Sequence, residues 1–201
     1  MDIQGSDAWF EARRGRATAS CFSDVLAKGQ GLTRKKYMLK IVTERLTGKV
    51  AESFSNVHTD RGTEQEQFAR MAYEAHTGTF VKEEGFVDHP TIEGFGCSPD
   101  GIVGEGLIEI KCPNTATHIE TVLENKAPSK YIPQMQCQMA CTGAKFCDFV
   151  SFDPRTPDDL QLFVIRVERD DEYIAEMEKE VKLFLQEVDD LHKQLLVKKG
   201  V

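Results

Sequence analysis

Apolar and polar residues follow one another along this chain with two different periods. In the stretch from 33 to 47, Tyr37, Met38, Ile41 and Val42 recur at the spacing of one buried helix face. Short β-prone runs bounded by glycine, proline or aspartate predict strands instead. The pattern predicts helices at 7–13, 21–27, 33–47, 61–76, 118–124, 133–142 and about 170–197, and strands at 79–88 (one strand or a pair), 101–103, 107–111, 146–152 and 160–167.

A glycine-rich turn, Gly104-Glu105-Gly106, separates two of these strands and supplies the backbone freedom of a hairpin. Counted from that turn, the antiparallel register places Asp100 opposite Glu109, about 5 Å away at Cβ. Because strand side chains alternate between faces, Glu109 and Lys111 share one face of the second strand. The sequence therefore predicts that Asp100, Glu109 and Lys111 converge.

Two converging carboxylates need a compensating charge, because they repel each other unless a cation lies between them or one carboxyl takes up a proton. A hard, oxygen-seeking ion such as Mg²⁺ suits such ligands best, and we expect Mn²⁺ to substitute for it. An ammonium beside them can orient or deprotonate a water, or neutralise charge on a phosphate. On spacing alone, a charged hairpin with one wet face explains Asp100, Glu109 and Lys111 equally well.

Composition and charge bound the class of protein. The 201 residues suit one domain, 1–201, and the net charge of −8 argues against a histone-like binder but not against a nuclease. The six cysteines lack disulfide-like spacing and no signal-peptide pattern opens the chain, so we expect reduced thiols and a cytoplasmic location. Cys137 and Cys141 lie one helical turn apart, but without a CxxC pair or a suitable histidine a structural metal there is disfavoured. No apolar run reaches membrane-spanning length.

Several short motifs of the sequence resemble those of a known family. Pro99-Asp100 followed by Glu109-Ile110-Lys111 is similar to the PD-(D/E)xK nuclease signature. Three longer motifs resemble the lambda exonuclease family of phage recombination nucleases, namely CSPDG at 97–101, EIKCP at 109–113 and YIPQMQ at 131–136. The resemblance extends from Asp7 to about Tyr173. It implies an α/β fold with a restriction-endonuclease-like core, in which helices flank a central mixed β-sheet.

The resemblance also implies a set of metal ligands. Asp100 would bridge two Mg²⁺ ions, and Glu109 with the backbone carbonyl of Ile110 would complete one of them. Glu66, on the predicted helix 61–76, would ligate the other ion. Glu64 is the competing candidate if the match along this helix is displaced.

Further roles are carried over in the same way. Lys111 would help to generate or position the hydroxide, and Gln134 would hold the scissile phosphate or the metal-bound water. Arg13, Ser20 and Ser98 would bind the 5′-phosphate end of DNA. Composition alone favours a cationic helix end for Arg13 and an N-cap for Ser20.

His118 follows the hairpin closely enough to suggest a catalytic role. A lone histidine near a helix start is more often structural, however, and the resembled family has no histidine at that position. We therefore expect His118 to be structural.

The function implied is a Mg²⁺-dependent 5′–3′ exonuclease that degrades one strand of linear double-stranded DNA and leaves 3′ overhangs. The family also implies a homotrimeric ring around DNA and a single-strand annealing protein as partner, in a phage or prophage acting in a bacterial host cell. Two alternatives stay open. One is an endonuclease or single-strand nuclease on the same core, and the other is an oligomeric DNA-end-binding protein without activity.

Overall fold

Helices make up most of the described chain. The structure is a computed structural model that describes residues 4–27, 32–51 and 57–198, with the backbone alone for 57–64. The α-helices within these residues are α1 (Asp7–Arg13), α2 (Phe22–Leu26), α3 (Thr33–Thr47), α4 (Val57–Thr77), α5 (Thr115–Glu124), α6 (Ile132–Thr142) and α7 (Asp171–Lys198). Short 3₁₀ turns at Ala19–Cys21, Ser129–Tyr131 and Asp158–Leu160 connect other elements.

The strands form two mixed sheets. They are β1 (Ala17–Thr18), β2 (Val87–Asp88), β3 (Phe95–Cys97), β4 (Gly101–Val103), β5 (Gly106–Lys111), β6 (Phe146–Phe152) and β7 (Leu162–Glu168). The small sheet has the order β1-β3-β2, with β1 parallel and β2 antiparallel to β3. In the larger sheet, of order β4-β5-β6-β7, only the central β5–β6 pair is parallel. The predicted fold class, an α/β fold with a mixed β-sheet flanked by helices, is confirmed, although the described strands form a second, smaller sheet as well.

The β4–β5 hairpin has the predicted register. Val103 pairs with Gly106 and Gly101 with Ile108, so Asp100 comes opposite Glu109 at the point where β4 has not yet begun. The turn requires a glycine at residue 104, since its φ of +59° lies in the left-handed region that side chains disfavour. The hairpin therefore places Asp100 beside the buried Glu109 of β5.

Helices cover the two faces of the larger sheet. On one face, Ile108 and Ile110 pack with Tyr73 of α4. On the other face, Leu107 packs with Met135 and Met139 of α6. These alternating contacts point the side chain of Glu109 toward α6, on the same face as Leu107.

A separate apolar cluster joins the small sheet to α2, α3, α6 and α7. Along α7, residues at helical spacing are buried against it, among them Met177, Val181 and Val188. Cys137 and Cys141 belong to this cluster, and Cys137 contacts Met177 through sulfur at 3.9 Å. All six cysteines lie within the described residues and no disulfide joins them, so these two side chains serve as core packing.

Some predicted boundaries differ from the structure. The stretch 79–88 forms only the two-residue strand β2 and an isolated bridge between Lys82 and Ile102, not a full strand or pair. Helix α5 begins at Thr115, three residues earlier than predicted, because Asn114 accepts a hydrogen bond from the N–H of Thr117 and caps it. Among the described helices, none has the length and apolarity needed to cross a membrane.

Candidate active site

The open end of the hairpin brings a carboxylate against the backbone of β5. The N–H of Ile110 donates to Oδ2 of Asp100 at 2.7 Å. Because the N–H and C=O of a strand residue face the same edge, the carbonyl of Ile110 also faces the edge that β4 leaves uncovered. The Asp100 carboxylate and the carbonyl oxygen of Ile110 therefore lie on the same side of β5.

The Glu109 carboxylate is fully buried among hydrogen-bond donors. Lys111, two residues along the same strand face, contacts its Oε1 through Nζ. From α6, Gln134 Nε2 donates to Oε1 and Gln138 Nε2 donates to Oε2, each at 2.7 Å. The ammonium of Lys111 also lies 5.2 Å from the centre of the Tyr131 ring. Three side chains thus fix the position of one carboxylate.

Glu66 approaches the same region from α4. Its side chain is 23% exposed, and its Oε1 lies 3.7 Å from Nη2 of Arg70, one helical turn away. Arg70 also pairs with Glu83 through its other terminal nitrogen. The side chain of Glu64, the alternative candidate, lies outside the described residues.

The charges of these groups act on one another. Burial, and then the negative charge of Glu109, raise the pKa of Asp100 well above its usual range. Burial likewise raises the pKa of Glu66, although Arg70 and Lys111 oppose that shift. Burial by itself would lower the pKa of Lys111, but Glu109 and Asp100 together raise it above its ordinary value. The raised pKa values show that Asp100 and Glu66 lack enough neighbouring positive charge to offset their burial. The ammonium of Lys111, in contrast, is held protonated by the nearby carboxylates.

The donor set fits a divalent cation by chemistry and by charge. Carboxylates and a backbone carbonyl are the hard oxygen ligands that Mg²⁺ and Mn²⁺ prefer. A cation near Asp100 would relieve the repulsion that raises its pKa. Within the described residues no three Asp, Glu, His or Cys side chains are gathered into a ready-made metal site. The Glu109 carboxylate instead faces the donors of α6.

A second cluster forms where α1 meets the residue after β3. Arg13 donates from Nη1 to Ser98 Oγ at 3.0 Å and from Nη2 to Ser20 Oγ at 3.3 Å. Trp9 Nε1 donates to the same Ser98 oxygen at 2.9 Å, and the guanidinium lies 4.2 Å from the centre of the Trp9 ring. All three residues predicted for DNA-end binding are therefore together. Burial lowers the pKa of Arg13, which marks a cation that has lost part of its hydration.

Only Pro99 separates this cluster from the acids, since it stands between Ser98 and Asp100 in the chain. The cationic cluster and the carboxylate cluster therefore adjoin through one short extended segment.

Three contributors to these clusters are absent from the set predicted from sequence, namely Gln138, Arg70 and Trp9. Gln138 lies one helical turn after Gln134, and that spacing was a usable signal for a shared face. Arg70 likewise follows Glu66 by four residues. For Trp9 the sequence showed an aromatic beside arginines but not that its indole N–H reaches Ser98.

His118, by contrast, lies apart from the site in a polar contact of the core. It is fully buried, and its ring nitrogens contact Ser151 Oγ at 2.8 Å and the carbonyl of Leu160 at 2.7 Å. Both contacts join α5 to the larger sheet and the segment before β7. This geometry agrees with the structural role expected for His118.

Comparison with known proteins identifies the class. The chain is similar to an alkaline exonuclease, LHK-Exo, from Laribacter hongkongensis, with 52% identity over 97% of this chain and 98% of that one and a TM-score of 0.91. LHK-Exo in complex with dAMP gives the same identity and coverage with a TM-score of 0.92. A phage related exonuclease from Haemophilus somnus 129PT, at 18% identity over 90% of this chain and 96% of that one, shares the fold with a TM-score of 0.72. No curated protein gave a significant match.

Fold and site together therefore define a domain of the alkaline exonuclease fold. A family model described as a YqaJ-like viral recombinase domain matches residues 8–145. The chain belongs to this family, and the resemblance to lambda exonuclease-like proteins is confirmed.

Proposed function

We propose that the protein is a metal-dependent 5′–3′ deoxyribonuclease that degrades one strand of linear double-stranded DNA. The observation that carries this proposal is the meeting of Asp100, Glu109 and Lys111 at the open end of the β4–β5 hairpin. The family and the similarity to an alkaline exonuclease over nearly the whole chain support a DNA exonuclease acting in recombination. One nuclease domain spanning 1–201 would carry the activity.

The proposed ligands divide between two Mg²⁺ ions, for which Mn²⁺ would substitute. Glu109 and the Ile110 carbonyl would hold one ion and Glu66 the other, and Asp100 would serve both. When bound, such a pair supplies stabilisation of the attacking and leaving oxygens of an in-line displacement.

Lys111 and Gln134 would act on the reacting groups themselves. Because its pKa is raised, Lys111 stays an ammonium, which favours positioning the attacking water and offsetting phosphate charge over removing a proton. Gln134 is partly exposed and its amide reaches the same carboxylate oxygen as Lys111. An amide there can hold a phosphate oxygen or a water beside Glu109.

The 5′–3′ direction would come from the Arg13 cluster. A guanidinium fork with two serine hydroxyls offers the donors that a terminal phosphate needs, and its burial strengthens their attraction for an anion. Held there, the 5′ end would place the first phosphodiester near Asp100. The product would be a mononucleotide, and LHK-Exo has been crystallised with a mononucleotide, dAMP.

The proposal extends to assembly and partners. We propose a homotrimer around the DNA and a single-strand annealing protein that takes up the 3′ overhang, in the cytoplasm of a bacterial host cell. On α4, Phe68 and Met71 lie one helical turn apart and are 60% and 58% exposed, so a subunit contact there would bury them.

The decisive experiment compares a linear duplex, 5′-phosphorylated and labelled at one 5′ end, with a closed circle of the same sequence. With Mg²⁺ we expect release of labelled mononucleotide and a growing 3′ overhang from the linear duplex, an intact circle, and no reaction in EDTA. Nicking of the circle would establish the endonuclease alternative, and digestion of single strands alone would establish a single-strand nuclease. Binding to ends without cleavage would identify a DNA-end-binding protein.

A further inference from the structure

Two glutamines of α6 each donate a hydrogen bond to a different oxygen of the Glu109 carboxylate. Gln134 donates to Oε1, the oxygen that Lys111 also contacts, whereas Gln138 alone donates to Oε2 among the described residues. Both distances are 2.7 Å, yet Gln134 is partly exposed and Gln138 has no exposed surface. The two oxygens of one buried acid therefore have different environments.

We propose that Gln138 is a positioning residue that holds Oε2 of Glu109, so that Oε1 is presented to the metal. This inference rests on the proposed function, because it concerns how a proposed ligand is aimed. Oε1 contacts the partly exposed Lys111 and Gln134, whereas Oε2 contacts the fully buried Gln138, so Oε1 lies on the side of the carboxylate nearer solvent. Gln134 would exchange its contact with Glu109 for a substrate phosphate or water, while Gln138 would keep its own.

The orientation of the Gln138 amide follows from its partner. A carboxylate oxygen only accepts hydrogen bonds, so the amide must turn its N–H₂ toward Glu109. This leaves the amide oxygen of Gln138 buried and without a partner among the described residues. A fold that needed only to fill this space would be served better by an apolar side chain.

The surroundings of Gln138 are those of the core. The adjacent Met139 is fully buried, as is Met135 one turn earlier, and both belong to the cluster against β5 and β6. The one described hydrogen bond that the Gln138 side chain makes is the one to Glu109. The contact with the acid, and not packing, is thus what its amide contributes.

Gln136 provides a matched control. It is also buried on α6, but its amide donates to the carbonyl of Glu168 and accepts from the N–H of Asp170, and so ties α6 to the start of α7. Gln136→Met and Gln138→Met remove the same group from two buried positions two residues apart. Only the second change removes a donor from a proposed metal ligand.

The test measures Mn²⁺ binding to the DNA-free protein. The free Mn²⁺ is quantified by electron paramagnetic resonance. Removing a side chain that hydrogen-bonds a metal ligand changes metal affinity by about 10–100-fold, so Gln138→Met should weaken Mn²⁺ binding at least about tenfold. The Mg²⁺ concentration for half-maximal cleavage should rise in parallel. Gln136→Met should lower the unfolding midpoint but bind Mn²⁺ as the wild type does.

Wild-type Mn²⁺ affinity in Gln138→Met, or equal weakening in both variants, would overturn the inference. A wild-type protein that neither binds Mn²⁺ nor cleaves DNA would instead overturn the proposed function. Should Gln138→Met not fold, Gln138→Asn carries the same comparison, since it keeps an amide but shortens its reach by one methylene. Unchanged Mn²⁺ affinity in Gln138→Asn would likewise count against a positioning role.

Discussion

The backbone N–H of Ile110 donates a 2.7 Å hydrogen bond to Oδ2 of Asp100. This bond joins Asp100, which lies just before β4, to β5, the second strand of the hairpin. This contact holds Asp100 close to Glu109 although like charges favour separation. The consequence is electrostatic, because burial and then Glu109 raise the pKa of Asp100. An ionised Asp100 is therefore electrostatically unfavourable here. A bound cation, or a neutral side chain in place of Asp100, would remove this unfavourable energy.

Removing the charge of Asp100 should stabilise the metal-free protein at neutral and higher pH. A carboxyl whose pKa is raised by folding contributes stability below its unfolded pKa, which is lost as pH rises through the folded pKa. Asp100→Asn keeps an acceptor for Ile110 but cannot ionise. In EDTA at about pH 8 we expect its unfolding midpoint to exceed the wild type's by about 2–4 °C per kcal/mol relieved. The difference should shrink toward acid pH, and a difference that grows on acidification would contradict the assignment.

Divalent metal should reverse that order. A ligand at about 100 times its Kd stabilises the folded state by about 2.7 kcal/mol, or about 5–10 °C for a domain of this size. We expect Mn²⁺ or Mg²⁺ to raise the unfolding midpoint of the wild type by this amount and that of Asp100→Ala far less. An equal rise in both proteins, measured by thermal unfolding with circular dichroism, would place the metal elsewhere.

Replacing Lys111 should remove activity without unfolding the protein. Lys111→Ala takes the ammonium from beside Glu109 and should lower the cleavage rate by at least about 100-fold, the usual scale for a group acting in the transition state. Lys145→Ala is the control, because Lys145 pairs with Glu105 at the opposite end of the same hairpin. Its rate on linear duplex should stay near that of the wild type. Similar losses in the two variants would show that the hairpin as a whole, and not Lys111, had been disturbed.

The hairpin was predictable because its determinants are local. The glycine turn fixes the register, and the register fixes which acid meets Glu109. The helical spacing of α3, α6 and α7 was likewise sufficient to place them. The hairpin and the meeting of Asp100 with Glu109 therefore required no knowledge of distant parts of the chain.

Long-range contacts were not accessible in the same way. The parallel pairing of β5 with β6 joins strands separated by α5 and α6, and no local signal states which strands become neighbours. The stretch 79–88 has strand-like composition, but it forms only β2, paired with β3, and the bridge between Lys82 and Ile102. The role of Gln138 also depended on tertiary structure, since a buried amide is recognised only once its carboxylate partner is placed.

Arg13 should decide the preference for phosphorylated ends. Arg13→Ala removes the fork that contacts Ser98 and Ser20, so the ratio of rates on 5′-phosphate and 5′-hydroxyl ends should fall by at least about tenfold, the loss of roughly one charge-assisted hydrogen bond. Arg14→Ala tests the neighbouring cation, which pairs with Glu11 instead, and should preserve the ratio. The measurement is initial rates on two duplexes that differ only in the end group. Equal loss on both ends would count against the assigned role.

His118 should matter to stability and not to chemistry. The carbonyl of Leu160 can only accept, so Nε2 of His118 carries the proton and Nδ1 accepts from the hydroxyl of Ser151. His118→Ala leaves the buried hydroxyl of Ser151 without this partner and should cost about 1–3 kcal/mol in unfolding free energy, measured by urea denaturation. His76→Ala, at the exposed end of α4, is the control and should be nearly neutral. Cleavage per folded molecule should be unchanged in both variants. A His118 variant of full stability that fails to cleave DNA would require a catalytic role for this residue.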